Sequence, residues 1–425
     1  MHHPLVTAGP ADGENRPDEQ TLLVTISGED RPGLTSVLFD AIAEIGAEVR
    51  DLEQVVVRGQ LTLAMLLAAG PDTDKLHEVV RTVGHDLDLK VKVKRGRGDT
   101  VRRADGRAAV VVIGSPLQAT AVAGITARIA ASGANIDRIR RLSQYPVTTV
   151  EFDISVADVE HLRRDLALEA ADEGVDIAVS AGGLARRGRR LVVLDVDSTL
   201  IQQECIELLA AHAGRQQEVA AVTERAMQGE LDFTESLRER VQVLAGLDAS
   251  VLEAVRSEVL LTPGARTLVR TLKRLGFTVA VVSGGFVEIV GPLAADLGIH
   301  HVRANQLEVV DGRLTGRLVG EVVDRAGKAA ALRDFAEEEG LPLSRTVAIG
   351  DGANDLDMLA EAGLGVAFNA KPIVRKQAHT AVTVPYLDAV LFLLGITREE
   401  VEEADAADGI PAPASALPSQ LVGGS

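Results

Sequence analysis

A chain of 425 residues, 46% of them hydrophobic, is long enough for about three domains with a core each, which excludes wholesale disorder. Forty-four basic against 62 acidic side chains leave a formal charge of −18 that repels phosphate backbones and anionic headgroups, so no nucleic acid and no membrane partner is expected, and eight Phe and two Tyr without Trp offer few base-stacking platforms. The single cysteine, Cys205, rules out an intramolecular disulfide framework and a cysteine metal cluster and fits a reducing, cytoplasmic setting, while the longest apolar runs, 61–69 and 389–396, fall far short of the roughly 18 to 20 residues of a spanning helix.

Residues 1–19 are polar, lack an apolar period and are expected to form a disordered lead-in. TLLVTIS (21–27) then reads as a strand, followed by a turn and an amphipathic helix with Leu34, Val37, Leu38, Ile42 and Ile45 on one stripe, which Gly46 ends. Two strand-like runs, a helix near 72–83 and a strand at 89–94 complete a βαββαβ unit over 20–96. A basic linker, RGRGDTVRRADGR, reads as a solvated connector. Beyond it the same order recurs over 107–183. The segments AIAEIGA (41–47) and RIAASGA (128–134) can be laid over each other, which points to an internal repeat with a period of about 87 residues.

A third unit spans 189–398. Its apolar strands VVLDV, FTVAVVSGG, RTVAIGDG and LGVAF alternate with helical stretches, the signature of a parallel sheet covered by helices on both faces. Between the first two strands lies a helical insert of about 204–261, the size of a cap over a site. The tail 399–425, acidic and then rich in Pro, Ser and Gly, is expected to be disordered.

The strong polar signals of the third unit fall at the carboxyl ends of these strands, where open parallel sheets place their ligands. Asp195 and Asp197 follow directly on an apolar strand, and burying isolated charges costs several kcal/mol, so a cation is called for unless the two are solvated loop aspartates that cap the next helix. Gly350-Asp351-Gly352-Ala353-Asn354-Asp355 adds polar groups at a second strand end. Hard oxygen ligands from two neighbouring strand ends suit Mg²⁺, which binds one or two carboxylates together with substrate phosphate. Ser283-Gly284-Gly285 offers a hydroxyl and unhindered N–H groups before a helix, as an anion cradle or as a plain turn. Ala326-Gly327-Lys328-Ala329 is no Walker A loop, since Val322 and Ala329 stand where Gly and Ser or Thr are needed.

Taken in order, DVDST, SGG, Lys328 and GDGAND on a parallel sheet with a helical insert resemble the haloacid dehalogenase superfamily of aspartate-nucleophile phosphotransferases, and within it the branch that acts on phosphoserine. The two βαββαβ repeats, with Gly28-Glu-Asp-Arg-Pro-Gly33 in the first, resemble ACT domains, small amino-acid-sensing modules of ferredoxin-like fold. The implied fold is thus α/β: a Rossmann-like parallel sheet with a helical cap, preceded by two ACT domains. The implied activity is Mg²⁺-dependent hydrolysis of O-phospho-L-serine to L-serine through an aspartyl-phosphate. Asp195 would be the nucleophile and Asp197 the general acid and base. Mg²⁺ would be held by Asp195, Asp351 and the backbone carbonyl of Asp197. Ser283, Gly284 and Lys328 would hold phosphate oxygens, Asp355 would orient Lys328 or a metal-bound water, and Asn354 would touch substrate or its neighbours. On the cap, Glu204 would meet the substrate ammonium, Arg240 its carboxylate, and Phe233 and Met227 would wall the serine carbons. Gly28, Asp30 and Gly33 are the candidate effector loop for L-serine or another small amino acid, with Asp30 as a helix cap the plainer alternative. Edge pairing of such modules implies a homodimer.

Overall fold

The computed structural model describes residues 20–97, 106–182, 186, 188–227 and 230–411. The expected lead-in and most of the basic linker lie outside the described residues, as does the tail from 412. Two compact units divide the chain after Arg102.

In the first unit, β1 (Gln20–Glu29), α1 (Leu34–Ala43), β2 (Glu48–Val57), β3 (Gln60–Ala68), α2 (Thr73–Asp86) and β4 (Lys90–Arg97) form an antiparallel sheet in the order β2-β3-β1-β4. Strand alternation puts Leu22, Val24 and Ile26 against the stripe Leu34, Leu38 and Ile42 of α1 and Leu76 and Val80 of α2. The helix α1 starts after Gly33, whose φ of 91° suits glycine, and no side chain caps it. Asp30 therefore does not act as the helix cap; its N–H instead donates to Gly59 O across the sheet end.

The second unit opens with the repeat: β5 (Arg107–Gly114), α3 (Ala119–Ala131), β6 (Asn135–Ser143), β7 (Thr148–Ser155), α4 (Val159–Glu173) and β8 (Asp176–Ala181), in sheet order β6-β7-β5-β8. Its β6 begins 87 positions after β2, and Gly46 and Gly133 end equivalent helices at φ 73° and 71°. The repeats differ in their free sheet face. In β5, Ala108, Val110 and Val112 meet the domain's own helices, while Val111 and Ile113 share one apolar cluster with Val366, Val382 and Leu391 further along the chain. The matching face of the first repeat leaves Leu23 43% exposed.

That further part comprises β9 (Leu191–Leu194), the insert α5 (Cys205–Ala213), α6 (Gln216–Met227), α7 (Phe233–Val243) and α8 (Val251–Glu258), then α9 (Ala265–Arg274), β10 (Thr278–Phe286), α10 (Val287–Leu297), β11 (His301–Val310), β12 (Arg313–Val319), α11 (Arg325–Glu338), β13 (Thr346–Gly350), α12 (Leu356–Glu361), β14 (Leu364–Phe368), α13 (Pro372–Arg375), β15 (Thr380–Val382), α14 (Val390–Leu393) and α15 (Arg398–Ala407). The sheet order is β12-β11-β10-β9-β13-β14-β15, parallel except for β12. The strand β9, buried throughout, is central, with one apolar cluster on each face.

Three elements depart from the sequence reading. The β11–β12 hairpin is polar and only half-buried, so it lacks the continuous apolar run of its neighbours; its turn, Asp311-Gly312 with φ 50° and 73°, is the hairpin signal that marks it. The strand β15 is too short for a periodic signal. Residues 399–407, expected in a disordered tail, belong to α15: Thr397 and Glu400 make a capping box, and Asp405, 4% exposed, lies between Arg270 and Arg274. Acidic composition there reflects arginine partners in α9 rather than disorder.

Candidate active site

Asp195 leaves the end of β9 with its N–H on Ile349 O, so the neighbouring strand β13 fixes where the carboxylate emerges. Its Oδ1 accepts the Val196 N–H at 2.7 Å and lies 2.7 Å from Lys328 Nζ. Lys328, on the first turns of α11, is fully buried and also donates to Asp355 Oδ1 at 2.7 Å. Burial alone would strip the lysine's proton; the charges of Asp195 and Asp355 reverse this and hold its pKa above the ordinary value. Asp355 accepts the Gly352 N–H as well, and a Cβ on Gly350 would stand 2.4 Å from its Cγ, so the loop must be glycine there.

Carboxylate oxygens of Asp195, Asp351 and Asp355 lie within 4.8 Å of one another. Burial first, then the charge of Asp355, pushes Asp195 well above the usual carboxylate range and Asp351 up to about 6. Thr199 Oγ1 donates to Asp351 Oδ1 at 3.1 Å. One buried ammonium does not balance three carboxylates, and their hard oxygens at two strand ends are the donor set of a small divalent cation.

The Asp197 carboxylate stands outside this acidic group, where Asp355 takes the third place. Its Oδ1 accepts the Cys205 N–H at 2.7 Å and its Oδ2 the Ser283 hydroxyl at 3.0 Å. Ser283 Oγ in turn accepts the Gly285 N–H at 2.7 Å, so this hydroxyl, expected on a phosphate oxygen, is engaged by Asp197. A Cβ on Gly285 would sit 2.7 Å from Asp197 Oδ2. The buried Cys205 thiol is pushed well up by burial and by the charge of Asp197, which leaves it inert; its contribution is the N–H at the start of α5. No sequence signal marks such a backbone donor.

These groups face a cavity of about 440 Å³ lined by Asp195, Asp197, Asp351, Gly284 and Asn354 from the sheet side and by cap residues opposite. Glu204 accepts the Ser198 hydroxyl at 2.8 Å and is raised to about 7 by burial and by the charge of Asp197. Arg240, on the last turn of α7, donates from Nε to Ser236 O, and desolvation lowers its pKa. Phe233, at the first turn of α7, reaches within 3.1 Å of the point where a Gly284 Cβ would lie. The structure thus brings Glu204, Arg240 and Phe233 together with the aspartates; the Met227 side chain lies outside the described residues. In the first unit Gly28 stands near the end of β1, paired with Leu61 of β3, and Asp30 and Gly33 on the connection from β1 to α1.

Residues 192–360 match the haloacid dehalogenase-like hydrolase family, and 20–94 and 106–180 each match an ACT domain family. A phosphoserine phosphatase of Streptomyces coelicolor is 61% identical over 390 residues, covering 91% of this chain and 95% of that protein. A phosphoserine phosphatase of Mycobacterium tuberculosis is 51% identical over 397 residues, covering 92% and 97%. The unliganded crystal structure of a probable phosphoserine phosphatase from Vibrio cholerae aligns with a TM-score of 0.54 at 36% identity, over 70% of this chain and 88% of that one. With the aspartates, the buried lysine and the capped cavity in place, the chain belongs to the phosphoserine phosphatase family of haloacid dehalogenase-like hydrolases, in the form that carries two ACT domains.

Proposed function

We propose that the chain hydrolyses O-phospho-L-serine to L-serine and phosphate through an aspartyl-phosphate at Asp195. The observation that carries this reading is a single cavity shared by two aspartates of unlike environment and by Glu204 and Arg240, a carboxylate and a guanidinium placed for the two charged ends of an amino acid.

Asp195 attacks phosphorus in line, and the serine oxygen departs with the bonding pair, so one slow hydrolysis becomes two faster steps. Asp197, held by Cys205 N–H and Ser283 Oγ rather than by the acidic cluster, delivers a proton to that oxygen. It then removes a proton from the water that attacks the aspartyl-phosphate, which regenerates Asp195 and releases phosphate. Mg²⁺ would be held by Asp195, Asp351 and the Asp197 carbonyl and would supply the positive charge that lets a carboxylate approach a phosphate dianion. Lys328 keeps Asp195 in place and, always protonated, offers charge to the equatorial oxygens, with the Gly284 N–H beside it. Glu204 receives the ammonium. Arg240 takes the carboxylate in a two-pronged grip that lysine cannot make. Phe233 covers the carbons between.

L-serine or another small amino acid binding at the first ACT domain would regulate the enzyme, and edge pairing of such domains would make a homodimer. A cytoplasmic setting accords with the single buried thiol. Phosphate release from phosphoserine, phosphothreonine and sugar phosphates, with Mg²⁺ and with a chelator, tests the reading. Phosphoserine should be turned over fastest and lose its turnover on chelation; faster release from a sugar phosphate would overturn it.

A further inference from the structure

We propose that Asn305 is a positioning residue that ties the phosphate-binding loop after β10 to the segment that carries Lys328. It rests on the phosphatase reading and concerns how the phosphate end of that site is held. Asn305 pairs with Phe286 where β11 follows the end of β10, is 2% exposed, and does not line the cavity. Its Nδ2 donates to Gly284 O at 2.8 Å and its Oδ1 accepts the Val323 N–H at 2.8 Å.

Each contact lies one short step from a group of the site. The peptide between Gly284 and Gly285 is held at both ends, its carbonyl by Asn305 and its N–H by Ser283 Oγ, the same hydroxyl that donates to Asp197. Two successive glycines have no Cβ to restrict them, so without these bonds that peptide is free to rotate. On the other arm, Val323 precedes Asp324, whose side chain accepts the Gly327 N–H at the start of α11 and whose carbonyl accepts the Lys328 N–H. One planar amide thus links the glycine loop and the Ser283 hydroxyl to the first turn of the lysine helix. A carboxamide offers a donor and an acceptor on two separate atoms of one planar, uncharged group; ionised Asp lacks the donor, Leu lacks both, and Ser has only one atom to reach both partners.

Because Asn305 acts at the phosphate end and away from Glu204 and Arg240, its loss must affect every phosphomonoester alike. The test uses the full chain with Asn305→Asp, which keeps the acceptor for Val323 and loses the donor to Gly284, and Asn305→Ser, which introduces no buried charge. Folding is followed by circular dichroism, and kcat and KM are measured on phosphoserine and p-nitrophenyl phosphate, with inhibition constants for inorganic phosphate and L-serine. Folded variants should lose about 10- to 100-fold in kcat/KM by the same factor on both substrates, the size expected of a small misplacement of reacting groups. Inhibition by phosphate should weaken in step while inhibition by L-serine stays within about twofold. Wild-type kinetics in either folded variant, a drop in melting temperature alone, or a loss confined to phosphoserine would overturn the proposal. Absence of turnover by the wild-type chain on both substrates would instead overturn the phosphatase reading beneath it.

Discussion

A buried lysine ordinarily gives up its proton, and a buried aspartate ordinarily keeps one. Lys328 escapes this by facing Asp195 at 2.7 Å, whereas Asp195, crowded by further carboxylates, stays raised, and that excess of carboxylates supplies the demand for a cation. Asp195→Asn should abolish turnover by removing the nucleophile, and Asp197→Asn by removing the acid and base, with near-ultraviolet and far-ultraviolet circular dichroism unchanged in both. Arg240→Ala should cost phosphoserine turnover on the order of 10² to 10³, since a substrate carboxylate is left unpaired under the cap, and scarcely alter p-nitrophenyl phosphate. Equal losses on both would place Arg240 at the phosphate. Glu204, raised to about 7, is neutral below that pH and then no longer attracts an ammonium group. The ratio of kcat/KM for phosphoserine to that for p-nitrophenyl phosphate should therefore fall as pH drops through 7, and Glu204→Gln should flatten it; a ratio independent of pH in the wild type would remove Glu204 from the ammonium. Asp195 and Asp351 are legible in the sequence because they follow apolar strands directly, and Asp355 because it closes the glycine loop after β13. The Cys205 N–H and Asn305 are not, since a backbone donor carries no letter and an asparagine in a polar strand reads as surface.

Strand ends and helix starts, rather than loops at large, place the chemistry: β9, β10 and β13 deliver Asp195, Ser283 and Asp351, and α11 delivers Lys328. The strands β9, β10, β13 and β14 were readable from their unbroken apolar runs, whereas β11, β12 and α15 were hidden because half-buried polar strands and arginine-paired acidic helices imitate loop and tail composition. The seam between β8 and β15 shows the same kind of partnership. Thr380 Oγ1 donates to Ile177 O, and Thr383 donates from both N and Oγ1 to Asp176 Oδ2. Burial raises Asp176 to about 6, more than these bonds and Arg375 lower it. Its folded pKa lies above the unfolded 3.8, so the native state binds the extra proton and this group's share of stability is lost as pH rises from about 4 through 6. Asp176→Asn keeps an acceptor oxygen and removes the buried charge. It should raise stability at pH 7.5 by about 1 to 3 kcal/mol and flatten the acid limb of a thermal-melt series; lower stability at pH 7.5 would show that the ionised form is the one the seam requires.

At the scale of the whole chain, duplication has produced two ACT domains of one topology and different duties. The second buries the far face of its sheet in the apolar cluster of the catalytic part, whereas the first leaves the equivalent Leu23 and the strand β2 exposed. The repeat itself was plain from AIAEIGA and RIAASGA, but which copy is built into the catalytic core was not, because Val111 and Ile113 fit the strand pattern whatever covers them. All residues of the cavity lie within 103–425. A chain beginning at 103 should therefore keep phosphoserine turnover within a few-fold and lose any inhibition by L-serine that is not competitive, while one beginning at 186 uncovers the Val366 cluster and should aggregate or melt lower. Equal serine inhibition, competitive in all forms, would assign serine to the active site as product. The covalent step at Asp195 is tested by acid-quenching the wild-type enzyme during turnover of ³²P-labelled phosphoserine with Mg²⁺ and sequencing the labelled peptide. Acid-stable, alkali-labile phosphate is expected on the peptide that carries Asp195; label on another residue, or phosphate release at full rate with no labelled protein at any quench time, would rule out Asp195 as the nucleophile.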